Sequence, residues 1–176
     1  MLNLKEEKSK MKKMLILIAS CLLFLSGCTK SNIVAPSLAV EPETDIKEGI
    51  EIDWGQVWDG LDETFIDPDA YPMAVEIGGA VEPDKKYAQL TIQVKEGTDP
   101  DEAVAYAMEV AKGMNDEVAT QDFNYERSSA DSFGGFFKEY TLQVMVYPEG
   151  QYFDESKCIM DVTVEPGEYV EFKAQS

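Results

Sequence analysis

Histidine is absent from this chain, and with it go His-based nucleophile triads, imidazole proton shuttles and most zinc enzymes. Positive charge is scarce: 15 Lys and Arg stand against 34 Asp and Glu, for a formal net charge of −19. Phosphate contacts need clustered basic side chains, so nucleic acid is excluded as a partner. Three Cys in 176 residues do not make a disulfide framework. The motifs GxSxG, CxxC, GxxxxGK[ST], GxGxxG and HExxH are missing, which leaves carboxylate pairs as the chemistry any catalytic reading must use. What is present suffices for a core: 44% of the residues are hydrophobic and 10% aromatic, so the chain folds rather than staying disordered.

The first residues form an address. Lys5, Lys8, Lys10, Lys12 and Lys13 precede the apolar run Met14 to Leu25, and small residues follow before Cys28. That run is about 12 residues long, well short of the ~20 that a membrane-spanning helix needs. Glu6 and Glu7 are unusual in such a segment, and translation from Met11 would omit them. Leu25-Ser26-Gly27-Cys28, placed after a basic stretch and an apolar run, resembles the lipobox of bacterial lipoproteins. The resemblance implies removal of residues 1–27, lipid on the Cys28 sulfur, and membrane anchoring through the acyl chains. Loss of that segment removes 5 Lys and 2 Glu, so the remaining chain holds 10 basic and 32 acidic residues and is more acidic still. Such a surface is repelled by anionic headgroups, which leaves the lipid to hold it at the membrane.

Residues 28–45 carry Pro36, Pro42 and several Ser, Thr and Glu without an apolar period, and read as a tether with a reach on the order of 20 Å. Residues 46–176 read as one domain. Trp54, Val57, Trp58, Leu61 and Phe65 make a helical stripe, with Asp53 as N-cap and Gln56 completing a capping box. Met73, Val75, Ile77 and Val81, then Ala88, Leu90, Ile92 and Val94, alternate as two strands joined at Pro83-Asp84. Asp99-Pro100-Asp101-Glu102 opens a second helix, which Gly113 is expected to weaken or end. Further strands are expected at Phe123–Arg127, Phe137–Tyr147, Lys157–Val164 and Glu168–Lys173, with Cys158 on the core face of the third. The short connections predict an α+β two-layer sandwich, a mostly antiparallel sheet of five or six strands with two helices on one face.

Three groups of residues are candidates for function. Asp59, Asp62, Glu63, Asp67 and Asp69 are the densest acids and offer oxygen ligands to Ca²⁺, although their spacing is not that of an EF-hand and a solvated cluster explains them as well. Tyr87, Gln89, Thr91 and Gln93 share the polar face of the second strand. Phe133 and Phe136 flank Gly134-Gly135 in a loop that would offer aromatic contacts if exposed. The reading that follows is a membrane-anchored extracytoplasmic lipoprotein with a non-catalytic binding domain, its partner an envelope protein or a small ligand. A carboxylate-dependent glycan hydrolase and a calcium-responsive module are the alternatives.

Overall fold

In the computed structural model, residues 50–152 and 154–175 are described. In chain order they form α1 (Trp54–Phe65), β1 (Ala74–Glu82), β2 (Tyr87–Val94), α2 (Pro100–Gln121), β3 (Thr141–Pro148) and β4 (Met160–Val164), with single 3-10 turns at Pro83–Lys85, Phe136–Lys138 and Glu155–Lys157. Leu25-Ser26-Gly27-Cys28, with the lipobox expected there, and the tether expected over residues 28–45 lie outside the described residues.

The helices start where local chemistry predicts. Asp99 accepts from the backbone N–H groups of Asp101 and Glu102 at 3.0 and 3.3 Å, and Pro100 occupies the first position, where its missing N–H leaves no bond unmade. Asp53 accepts from the N–H of Gln56 at 3.2 Å. The reciprocal half of the capping box comes from elsewhere: the N–H of Asp53 donates to Oε1 of Gln121 at 2.8 Å, and Nε2 of Gln121 donates back to the Asp53 carbonyl at 3.1 Å. The first turn of α1 is thus tied to the last turn of α2. Val57, Leu61 and Phe65 are buried, each contributing roughly 1.5 to 3 kcal/mol, which outweighs the ~1 kcal/mol that each of Gly55 and Gly60 withdraws.

Gly113 neither ends nor interrupts α2, which continues to Gln121. A Cβ at Gly113 would lie 2.3 Å from Cε2 of Phe65, so this glycine is the notch where the two helices cross. The buried stripe of α2 runs through Val104, Ala107, Val110, Ala111, Met114 and Val118. It shares a core with Ala88, Leu90, Ile92, Val94, Leu142, Val144, Val146, Met160 and Val164 from the sheet, and with the stripe of α1.

One sheet has the order β1-β2-β3-β4. The pairs β1/β2 and β3/β4 are antiparallel, whereas β2 and β3 run parallel, with Leu90 opposite Val144. The α+β class is as expected, but the sheet has four strands and a parallel centre. The reason is the link between β2 and β3: it contains the whole of α2, and a helical crossover lets the next strand return in the same direction. Three expected strand segments take other forms. Phe123–Arg127 is irregular and Phe123 is 89% exposed. Phe137–Tyr140 belongs to a 3-10 turn and its exit. Glu168–Lys173 is irregular, yet it delivers Phe172 to the core, stacked on Phe133 at 5.4 Å. Cys158 precedes β4 instead of lying within it; it is half-buried, and its thiol donates to the Met160 carbonyl at 3.0 Å.

Candidate functional site

Odd-numbered residues of β2 and β3 point away from the core, onto a face that no helix covers among the described residues. The register sets Tyr87 beside Thr141, Gln89 beside Gln143, Thr91 beside Met145 and Gln93 beside Tyr147. Glu82, Ala80, Gly78 and Glu76 of β1 extend these rows on one side, and Thr163 and Asp161 of β4 on the other. Tyr87, Gln89, Thr91 and Gln93 thus lie together as expected. Gln143 joins the rows: its amide oxygen accepts from the Tyr87 hydroxyl and, at 3.4 Å, from Nε2 of Gln89, while its Nε2 donates to Asp161 at 2.9 Å. Gln93 donates to Glu76 and accepts the N–H of Gly150 at 3.3 Å. Burial first, then the Asp161 and Glu82 carboxylates, push the Tyr87 phenol above its ordinary range, so it stays a neutral donor. The hydroxyl of Thr91 makes no hydrogen bond among the described residues. At the β1 side the face sinks into a hollow of about 280 Å³ lined by Glu76, Gly78, Thr91, Gln93 and Tyr152. Tyr152 stands edge-on to Tyr147, with ring centroids 5.8 Å apart. An ordered floor of amides and hydroxyls with one aromatic wall suits a polar ligand or a partner surface.

The Phe133–Phe137 loop requires a correction. Phe133 and Phe136 are 2% and 1% exposed, and both belong to the core rather than to a contact surface. The cause is Asn115 of α2, which is fully buried. Its Oδ1 accepts the N–H of Phe136 at 3.0 Å, and its Nδ2 donates to the Glu126 carbonyl at 3.0 Å. Asp116 adds bonds to the N–H and hydroxyl of Ser128 at 2.6 and 3.0 Å. Gly134, at φ 103°, passes so close to Asn115 that a Cβ would lie 2.0 Å from Nδ2. The Gly pair is a packing device here, not a hinge.

A second hollow, of about 410 Å³, lies beside the start of α1. Trp54, Tyr125, Phe136 and Tyr140 line it, with Ile50, Ile52 and Glu51 from the incoming chain. Phe136 is the shared ring: Tyr140 stacks on it at 4.1 Å, Tyr125 meets it edge-on at 5.7 Å and Trp54 lies 5.7 Å away at a tilt. Sequence periodicity found Trp54 as part of a helical stripe and put Tyr125 and Tyr140 in two separate expected strands, but nothing local connects the three.

The acidic candidates do not converge. Asp59, Asp62 and Glu63 are exposed on α1, and Asp67 and Asp69 lie in the turn after it, where Asp67 accepts the N–H of Asp69 at 2.9 Å. Among the described residues, no three His, Cys, Asp or Glu side chains are grouped to hold a metal ion. Comparison of the chain with protein-family models, with curated proteins and with solved structures finds no match.

Proposed function

We propose that this chain is a lipid-anchored extracytoplasmic lipoprotein whose domain binds an envelope protein or a small ligand, without catalysis, through the open face of its sheet. The observation that carries the binding half is the one-sided packing of the sheet: both helices share the core on one side, and the Tyr87, Gln89, Thr91 and Gln93 face on the other is ordered by its own hydrogen bonds. A face organised before contact loses less side-chain entropy when a partner arrives. The anchoring half rests on Leu25-Ser26-Gly27-Cys28 behind the basic and apolar segments. Among the described residues no helix is long and apolar enough to cross a membrane.

The test combines fractionation with site-directed photo-crosslinking in cells. Wild-type chain is expected in the membrane fraction in its processed form, and Cys28→Ala either as unprocessed precursor or, where it is trimmed elsewhere, in the soluble extracytoplasmic fraction. A photo-reactive residue at Gln89 is expected to capture one recurrent partner, and the same residue at Ala105, exposed on α2, is not. Membrane retention of Cys28→Ala with its precursor processed normally overturns the anchor. Equal capture from both positions, or from neither, overturns the sheet-face assignment.

A further inference from the structure

The aromatic hollow beside α1 has features of a ligand site separate from the sheet face. Its volume of about 410 Å³ falls within the range of small-molecule pockets, and four rings line it. The electrostatics favour a cation. The faces of aromatic rings carry partial negative charge, and this cluster already attracts one ammonium: Nζ of Lys86 lies 5.6 Å from the Tyr140 ring centroid. The nearby carboxylates of Glu139 and Glu126 are committed to ion pairs with Lys86 and Lys138. Glu51, which lines the hollow, has no ion-pair or hydrogen-bond partner among the described residues. The positive end of α1 is already met by the Asp53 cap, so it offers little opposition to a cation nearby.

We propose that this hollow binds an organic ammonium ion with an apolar body, the body against Trp54 and Tyr125 and the charged nitrogen toward Glu51. The strongly acidic chain, at a net charge of −19, raises the local concentration of such a ligand.

The experiment uses the full chain in an uncharged detergent and reads intrinsic tryptophan fluorescence during titration with phenethylammonium, 2-phenylethanol and phenylacetate. Phenethylammonium is expected to give a saturable change at a midpoint at least tenfold below that of the neutral alcohol, with no saturation by the anion. Glu51→Gln, at an exposed position, is expected to raise the ammonium midpoint about tenfold and leave the alcohol unchanged. Tyr125→Ala is expected to weaken binding and Tyr125→Phe to restore most of it; melting curves on each variant separate a lost site from a lost fold. Equal affinity for ammonium and alcohol overturns the proposal, as does an unchanged midpoint in Glu51→Gln. A fluorescence change that follows protein concentration instead of ligand assigns the hollow to a second copy of the chain and also overturns it. None of these results bears on Cys28 or on capture from Gln89.

Discussion

The side-chain oxygen of Asn115 accepts the backbone N–H of Phe136 at 3.0 Å from a position of zero exposure, and this bond decides whether the aromatic loop is core or surface. Its amide nitrogen serves the Glu126 carbonyl on the other arm of the same loop. Asn115→Ala leaves the Phe136 N–H without its partner, while the Glu126 carbonyl keeps the N–H of Gly135 at 2.8 Å, and is expected to lower stability by about 1 to 3 kcal/mol, read as a shift in the urea midpoint. Asn115→Asp is expected to lower it at least as much, because it places an unpaired charge in the core beside Asp116. An unchanged midpoint in both variants would show that ring packing alone holds the loop.

At Gly113, helix propensity and packing make opposite predictions. Propensity alone says Gly113→Ala stabilises α2 by about 1 kcal/mol. The new methyl would meet the Phe65 ring, and overpacking of that kind costs about 1 to 3 kcal/mol. Net destabilisation is therefore expected, with partial recovery in the double variant Gly113→Ala, Phe65→Leu. A more stable Gly113→Ala chain would show that the helices move apart at little cost.

Gln121→Ala removes two bonds to the backbone of Asp53. The expected loss is about 1 to 2 kcal/mol. Hydrogen exchange is expected to rise first in the opening turn of α1, and a uniform rise over the whole domain would contradict the local role assigned to this bridge.

Tyr71 donates to Oε2 of Glu109 at 2.8 Å; burial first, and then that bond, push its phenol from an ordinary 10.0 to about 12. The folded state therefore keeps a proton that the unfolded chain releases, so this contribution is complete below pH 10 and is lost as pH rises from there toward 12. Burial likewise raises Tyr106, whose hydroxyl donates to the Phe65 carbonyl at 2.9 Å. Tyr71→Phe is expected to be less stable than wild type at neutral pH and to fall less steeply in alkali. Parallel stability profiles for the two chains would contradict the linkage.

The residues that sequence reading placed well are those whose neighbours are close in the chain. The alternation of Ala88, Leu90, Ile92 and Val94 put all four on the buried face, since a strand's period of two is a property of the backbone. The polar row Tyr87, Gln89, Thr91 and Gln93 followed from the same parity. The Asp99-Pro100 start of α2 is equally local, because a cap bonds to groups two and three residues ahead. Phe133 and Phe136 were misplaced for the converse reason: their burial depends on Asn115, which sits in a helical sequence and shows no sign of being a core polar anchor until the loop folds over it.

The composition limits, the helix starts, the face of each central strand and the lipobox resemblance at Cys28 are legible in the chain because they depend on residue type or short-range geometry. Tertiary structure alone decided that β2 and β3 run parallel, that Gly113 is a crossing notch, that Gln121 completes the cap of Asp53, and that Trp54, Tyr125, Phe136 and Tyr140 gather around one hollow. These are contacts between segments far apart in the chain, set by how two helices and a sheet bury their apolar faces together, and short-range periodicity carries no information about them.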